Sequence, residues 1–188
     1  MILDLLRHGE TEQGGGLRGS LDDALTDNGW AQMREAVGEG GPWQVLVSSP
    51  LQRCARFADE LGVRLGLPVQ READLQELHF GEWEGRSALQ IMQTQADELG
   101  RFWADPYAYT PPGGEPVSAF EQRVLAGIER LRSQHAGKRV LLVTHGGVMR
   151  LLLARARGLP REQLLQVEVG HGALVQLELV GERLREVV

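Results

Sequence analysis

Two short apolar runs that each lead into a histidine and a glycine constrain this chain more than any other feature. The first covers residues 1–6 and ends in Arg7-His8-Gly9, and the second covers residues 140–143 and ends in Thr144-His145-Gly146. Runs this short and this apolar are typical of strands that are buried on both faces. Because the carboxyl ends of parallel strands meet at one edge of an open α/β sheet, both histidines are expected at that edge.

Helical periodicity alternates with further apolar runs along the rest of the chain. A third strand is predicted at 45–48, after which Ser49 and Pro50 offer an N-cap and a first position for a helix that carries Arg53. Other helices are predicted at 27–37, 87–104, 117–134 and 148–157, a short helix or turn at 160–165, and strands from 68 and at 167–169, 174–179 and 184–187. The alternation predicts one α/β layered domain over residues 1–188.

The composition excludes several classes of protein. A length of 188 residues, with 42% hydrophobic and 24% charged residues, is ample for one core and is not typical of a disordered or fibrous chain. A net charge of −6 argues against a nucleic-acid partner, which usually meets a basic face. Of the 20 basic residues only Lys138 is a lysine, and arginines that lie inside short motifs suit a small anion.

Membrane and secretory signals are also missing from the sequence. No apolar run approaches the roughly 18 residues of a membrane span, so no membrane partner is expected. Asp4 and Arg7 interrupt the first apolar stretch, which therefore does not resemble a signal peptide. Cys54 is the single cysteine and has no internal partner, so we expect a reducing, cytoplasmic setting.

Two histidines and two arginines at strand ends suit the chemistry of a phosphoryl group. Arginine grips two phosphate oxygens with its planar fork, and a neutral imidazole is a competent nucleophile. The helix after Gly146 would add backbone N–H groups, and a glycine beside each histidine would let the backbone approach the anion. Either histidine alone is more simply a structural residue, but His8 and His145 together with Arg7 and Arg53 favour a phosphoryl site.

Other phosphatase chemistries do not match the spacing of the residues. A cysteine phosphatase needs an arginine six residues after its nucleophile, but Glu60 holds that position after Cys54. No Gly-x-Ser-x-Gly elbow occurs, and Lys138 follows no glycine-rich loop. Neither a His-x-x-x-His pattern nor paired cysteines are present, so no metal or other cofactor is expected.

Several stretches together resemble the histidine phosphatase superfamily, the phosphoglycerate-mutase-like group. They are Leu5-Leu6-Arg7-His8-Gly9-Glu10-Thr11; Gly19 with Asp22, Leu25-Thr26 and Gly29; Ser48-Ser49-Pro50-Leu51-Gln52-Arg53-Cys54-Ala55; Leu75-Gln76-Glu77 with Phe80-Gly81-Glu82-Trp83-Glu84-Gly85; Pro112-Gly113-Gly114-Glu115; and Val143-Thr144-His145-Gly146-Gly147. The first and last are highly specific together, and the resemblance covers nearly the whole chain. It implies a three-layer α/β/α sandwich with a mostly parallel central sheet, and a phosphomonoester hydrolase that needs no metal.

The resemblance also implies roles for individual residues. His8 would be the nucleophile that becomes phosphohistidine. The phosphoryl oxygens would be held by Arg7, Arg53 and His145. Glu77 would protonate the leaving oxygen and then deprotonate the attacking water. Three further residues are expected to contact the substrate: Thr11, Arg18 and Gly146.

Some assignments stay open on sequence alone. Glu82 and Glu84 share an acidic loop with Glu77 and could supply the acid, although the resemblance favours Glu77 and makes Glu84 structural. Gly14 stands where the family commonly has asparagine, which leaves one polar contact of the pocket unassigned. Arg18 could equally contact a substrate anion or be a solvated loop residue. Trp83 and Trp103 are expected either to line the pocket of the leaving group or to pack in the core, and His79 either contacts the substrate or does not. His135 is expected to have a structural role at a helix end. For His171, a place in a turn or the core is favoured over a place in the site.

The substrate is constrained by what the chain lacks. Residues 94–122 contain Arg101 as their only basic residue, so a doubly anionic phosphoglycerate would be poorly bound and a mutase is the less favoured alternative. Length and the Pro-Gly-Gly-Glu segment resemble the alpha-ribazole phosphatases of cobalamin biosynthesis and the broad-specificity bacterial phosphatases. A non-catalytic phosphate-binding module is the other alternative, against which the presence of His8, Glu77 and His145 counts. The expected partner is a small-molecule phosphomonoester.

Overall fold

A computed structural model describes residues 1–181 and 183–187 of the chain. Six strands form one sheet in the order β3-β2-β4-β1-β5-β6. The elements are β1 (Ile2–Arg7), α1 (Asp27–Val37), β2 (Val45–Ser48), α2 (Gln52–Leu65), β3 (Val69–Arg71), α3 (Ala88–Ala104), α4 (Val117–Gln134), β4 (Arg139–Thr144), α5 (Gly146–Ala156), β5 (Leu174–Val180) and β6 (Arg183–Val187).

The parallel part of the sheet places the motif residues at the same edge, because the carboxyl ends of its strands are in register. β3, β2, β4 and β1 pair in parallel, whereas β5 and β6 add an antiparallel edge. Leu6 of β1 and Ser48 of β2 both pair with Val143 of β4. The chain therefore leaves all three strands at the same edge, and the mostly parallel sheet predicted from the motifs is confirmed.

Apolar side chains of the central strands alternate between the two faces of the sheet, as the pleat requires. In β4, Val140 and Leu142 pack into a cluster with residues of α4 and α5, whereas Leu141 and Val143 pack into a second cluster with residues of α1 and α2. Helices thus cover both faces, which is the three-layer sandwich that the resemblance implied.

The predicted start of the second helix is wrong. α2 begins at Gln52, its N-cap is Leu51, and no side chain caps it. The hydroxyl of Ser49 lies 2.7 Å from Nε2 of His145 instead. Ser49 is therefore a residue of the histidine site and not the N-cap of α2, and its hydroxyl also accepts from the backbone N–H of Leu51 (3.4 Å). The helix expected at 148–157 also starts earlier, at Gly146.

The strand expected at 167–169 does not form. These residues join no strand of the described sheet. The carbonyl of Val167 accepts a hydrogen bond from Nε of Arg150 (3.0 Å), and that of Val169 accepts one from Nη1 of Arg7 (2.6 Å). The apolar alternation reflects the buried side chains of Val167 and Val169, while their backbone carbonyls accept hydrogen bonds from two arginines.

Two kinds of feature are absent from residues 1–181 and 183–187. No helix there is long and apolar enough to cross a bilayer. No group of three or more histidine, cysteine, aspartate or glutamate side chains there is placed to hold a metal ion.

Candidate active site

His8 and His145 meet where β1 and β4 end, as the strand pattern predicted. Their ring centroids are 5.4 Å apart in an edge-to-face arrangement, and both side chains are buried. Nδ1 of His8 lies 2.8 Å from the carbonyl oxygen of Gly9. A carbonyl only accepts, so Nδ1 carries the ring proton and Nε2 keeps a lone pair. His8 is thereby held in the tautomer that a nucleophile needs.

Burial and nearby arginine keep both rings neutral. The pKa of His8 and the pKa of His145 lie well below the ordinary value of 6.5, because burial disfavours the cation. The next cause in each case is the positive charge of Arg53. An unprotonated imidazole is the form that can attack phosphorus, so this environment favours nucleophilic chemistry at neutral pH.

Arg53 is fully buried and is fixed from several sides. Its Nε donates to Nδ1 of His145 (3.2 Å), and its Nη2 donates to the carbonyl of Gly19 (2.8 Å). Because Nδ1 of His145 accepts, Nε2 carries the proton and donates to the hydroxyl of Ser49. Both ring nitrogens of His145 are therefore occupied, and its direct contacts position Arg53 and Ser49.

Arg7 is mostly buried and only partly satisfied. Nη1 donates to Val169, but the buried Nε has no hydrogen-bond partner among the described residues. Burial is the main cause that lowers the pKa of Arg7, although a guanidinium stays protonated near neutral pH. A buried donor without an acceptor is unfavourable, and a phosphoryl oxygen would satisfy it.

The glycines beside the histidines make room for protein groups. A Cβ on Gly146 would lie 3.0 Å from Nη1 of Arg150 and 3.1 Å from Nε of Arg7. A Cβ on Gly147 would collide with the carboxylate of Glu77, and one on Gly9 would collide with the backbone of Gly29. The neighbours that a Cβ would meet at Gly9 and Gly146 are protein groups, and the approach of an anion to the backbone at these glycines stays a prediction.

Glu77 lies at the N-terminus of α5. Its Oε2 accepts from the N–H of Gly147 (2.8 Å) and its Oε1 from the N–H of Leu78 (2.9 Å). Glu84 instead holds two loops together, because its carboxylate accepts from the backbone N–H groups of Ser20 (2.7 Å) and Leu21 (3.0 Å). Glu82 is exposed. Among these acids, Glu77 is the one placed beside the histidine motif.

Arg123 on α4 braces the segment that carries Glu77, and sequence reasoning missed it. Nη1 of Arg123 donates to the carbonyls of Asp74 and Gln76 (2.8 Å each), and Nη2 donates to the carbonyl of Glu77 (2.9 Å). Glu115 pairs with the same guanidinium (2.7 Å). The Pro-Gly-Gly-Glu segment followed by an arginine in the next helix was the available signal.

A small cavity of about 50 Å³ adjoins Glu77. We call it the leaving-group pocket, and its walls include Phe80, Phe102, Phe120 and Arg150. Nε of Arg150 donates to Val167, while its two terminal nitrogens have no partner among the described residues. The pocket is therefore mostly apolar, with one cationic group near the acid. Sequence reasoning did not single out Arg150.

The structure places Thr11 and Arg18 in the loop after β1. Thr11 is buried and forms an isolated bridge with Leu25. Arg18 is also buried, pairs with Asp23 (3.0 Å) and donates to the carbonyl of Gly14 (2.8 Å), so it is not a solvated loop residue. Asp23 also lies 3.6 Å from Nη1 of Arg53. Arg18 is thus linked to the site through a shared carboxylate.

The remaining aromatic and histidine residues divide between core, loop and site. Trp83 is fully buried against Phe102, whereas Trp103 is half exposed. His79 accepts from the N–H of Gly81 (3.2 Å). His135 is the C-cap of α4, as its helix-end assignment predicted, and burial lowers its pKa. His171, which the sequence favoured as turn or core, lies 5.7 Å from His8 between ring centroids.

Comparison with known proteins matches nearly the whole chain to one family. The model of the histidine phosphatase superfamily (branch 1) matches residues 3–188. The adenosylcobalamin/alpha-ribazole phosphatase of Escherichia coli K12 is 33% identical over 183 residues, which is 95% of this chain and 90% of that protein. A glucosyl-3-phosphoglycerate phosphatase of Mycolicibacterium vanbaalenii is 35% identical over 170 residues, 84% of this chain and 75% of that protein. Among solved structures, Bacillus stearothermophilus YhfR has a TM-score of 0.91 at 27% identity, covering 100% of this chain and 95% of its own.

Proposed function

This chain belongs to branch 1 of the histidine phosphatase superfamily, and from that premise we propose that it hydrolyses phosphomonoesters through a phosphohistidine on His8. That it is a phosphomonoesterase follows from the family and its phosphatase relatives. The observation that carries the proposed mechanism is the His8 ring itself. Its Nδ1 is tied to Gly9, its Nε2 keeps a lone pair, and burial keeps it neutral beside Arg7.

The reaction takes two displacement steps. In the first, Nε2 of His8 bonds to phosphorus, the bond from phosphorus to the ester oxygen breaks, and Glu77 gives that oxygen its proton. In the second, Glu77 takes a proton from water, the water oxygen bonds to phosphorus, and the bond to Nε2 breaks. Inorganic phosphate leaves, and His8 and Glu77 return to their starting forms.

Fixed positive charge stabilises the phosphoryl group in both steps. Arg7 offers its unpartnered Nε, and Arg53 supplies a buried cation held in place by His145 and the Gly19 carbonyl. Preorganised donors of this kind reorganise little as the transition state forms, so they are more effective than water. His145 contributes mainly by fixing the orientation of Arg53.

The leaving-group pocket is too small to enclose a nucleoside, but its apolar lining favours an alpha-ribazole 5′-phosphate type of substrate packed across its mouth. Its leaving alcohol is a neutral nucleoside with an aromatic base, and three phenylalanines line the pocket beside Glu77. The relative from Escherichia coli, named for alpha-ribazole, supports the same choice. The acidic stretch at 94–122, with Arg101 as its only basic residue, weighs against the phosphoglycerate mutase alternative.

Arg150 favours a second candidate, a phosphoglycerate ester such as the glucosyl-3-phosphoglycerate of the mycobacterial-type relatives. The carboxylate of such a substrate would pair with the terminal nitrogens of Arg150. The two candidates differ in one testable respect. Arg150→Ala should reduce kcat/KM strongly for the carboxylate substrate and little for the neutral nucleoside phosphate.

The experiment is a panel of phosphomonoesters assayed in EDTA, including both candidate substrates and p-nitrophenyl phosphate. We expect turnover of several esters, with the highest kcat/KM for alpha-ribazole 5′-phosphate. Arg155→Ala is the matched control, since Arg155 lies on the same helix and pairs with Glu121 (2.7 Å) away from the pocket. Rapid acid and base quench with labelled substrate should trap acid-labile, base-stable label that His8→Ala abolishes. Full turnover by His8→Ala would overturn the mechanism.

A further inference from the structure

The segment of residues 167–173, here called the strap, is tied to the end of β1 on both sides of His171. Arg7 donates from Nη1 to Val169 and from its backbone N–H to Ala173 (2.9 Å). The N–H of Gly172 donates to the carbonyl of His8 (3.4 Å). The strap is therefore anchored through its backbone to the two residues that begin the histidine motif, and His171 is carried along with it.

His171 lies beside the His8 ring and is exposed at the protein surface. Its ring centroid is 5.7 Å from that of His8, with the two planes tilted by 43°. His145 lies at a similar distance from His8 but is fully buried, whereas His171 is exposed. His171 is therefore the more solvent-accessible of the two histidine rings beside His8.

The ring of His171 also has unused hydrogen-bonding capacity. His8, His79, His135 and His145 each make at least one ring hydrogen bond. Among the described residues, neither ring nitrogen of His171 has a partner. A neutral imidazole carries one N–H donor and one acceptor, and the tautomer is free to suit a ligand.

We propose that His171 is a third histidine of the phosphoryl site and donates a hydrogen bond to a non-bridging oxygen of the phosphoryl group on His8. The inference rests on the proposed function in taking His8 as the nucleophile. Phosphoryl oxygens project from phosphorus toward the side chains around it, and His171 is one of two histidine rings that lie beside the His8 ring. The charged and titratable groups that face it are Arg7, His8 and Glu10.

A direct test follows the imidazole resonances of the five histidines by NMR during a pH titration. Burial and Arg7 lower the pKa of His171 in the protein without ligand. Saturating inorganic phosphate should raise that pKa, because a bound anion stabilises the imidazolium form. The pKa of His135, which is bonded to Gln70 at the end of α4, should stay unchanged. An unchanged His171 pKa in a protein that has bound phosphate would overturn the inference.

Kinetics provide the second test, with three variants. His171→Ala should lower kcat/KM and weaken inhibition by phosphate by roughly 10- to 100-fold, the usual effect of losing a hydrogen bond to a charged group. The loss should be equal for alkyl and aryl esters, since His171 does not touch the leaving group. His171→Asn should recover part of the activity because its amide donates, and His135→Ala is the control.

The outcomes separate this inference from the proposed function. If the wild-type protein turns over phosphomonoesters and both His171 variants match it, the third-histidine role is wrong and the function stands. If no phosphomonoester is turned over, the proposed function fails, and the phosphate titration still decides whether His171 meets the anion. Thermal unfolding of each variant checks that the strap, which is held by backbone contacts, is retained.

Discussion

The carboxylate of Glu77 occupies the space that a Cβ on Gly147 would need. The same carboxylate accepts from the N–H of Gly147 at 2.8 Å. The second glycine of the His-Gly-Gly motif therefore lets the Glu77 carboxyl group reach the N-terminus of α5, where the backbone N–H of Gly147 has no acceptor within the helix.

Gly147→Ala should displace Glu77 without unfolding the protein. The group that must move is the end of a flexible side chain, so we expect only a small change in the free energy of unfolding. Hydrolysis of alkyl phosphates should fall by about 10²-fold or more, because the acid is removed from its place. Gly100→Ala is the control, since a Cβ there meets nothing within 4 Å. Wild-type kcat on alkyl phosphates in Gly147→Ala would contradict this account.

Glu77→Gln should separate proton transfer from phosphoryl binding. An alkoxide leaves poorly without a proton, so we expect a loss of about 10²- to 10⁴-fold on alkyl phosphates and a milder one on p-nitrophenyl phosphate. Phosphohistidine should accumulate wherever its hydrolysis limits the rate. The activity of Glu82→Gln on both ester types should match that of the wild type, because the Glu82 side chain is exposed. Equal losses on both ester types, with no accumulated intermediate, would move the acid role away from Glu77.

Arg123→Lys should impair the acid at a distance. Lysine cannot reproduce the fork that joins Arg123 to three carbonyls and to Glu115. We expect kcat on alkyl phosphates to fall by about tenfold with little change in KM, and the dependence on leaving-group pKa to steepen. A misplaced Glu77 would have these effects, because in the proposed mechanism Glu77 acts in the transition state and does not bind the phosphate group in the ground state.

The control for that variant is Arg132→Ala, which removes another α4 arginine that pairs with Glu129 on the exposed face of the same helix. A purely structural role for Arg123 would lower stability in urea and leave the leaving-group dependence unchanged. That result would remove Arg123 from the positioning of Glu77.

Stability should fall as the solution becomes acidic, because His8 and His145 are buried in the neutral form. Their folded-state pKa values lie well below 6.5, so the unfolded chain binds more protons as pH drops through about 6.5. The free energy of unfolding should therefore be highest above that pH and decline below it. Urea unfolding of the wild type and of His8→Ala, each at about pH 7.5 and 5.5, measures this, and the variant should lose less. An equal decline in both proteins would show that His8 is not a source of the effect.

The sequence by itself determined the layers of the fold and the members of the central motif. The prediction of α4 at 117–134 matches its observed bounds, and the runs at 45–48 and 140–143 are strands, because burial on one or both faces leaves a periodic apolar pattern in the chain. The motifs likewise indicated which histidines, arginines and acid lie near one another.

Only the tertiary structure decided how those residues are held. Ser49 contacts His145, Arg123 contacts the carbonyls of the Glu77 segment, and the strap joins Arg7 and His8 to His171. Each contact joins a side chain or backbone group to another that is distant in sequence. A hydrogen bond to a carbonyl that is distant in sequence imposes no local periodicity, so no pattern in the sequence predicts it. The same reason explains why 167–169 was predicted as a strand: its apolar alternation is real, but its carbonyls are taken by two arginines rather than by a neighbouring strand.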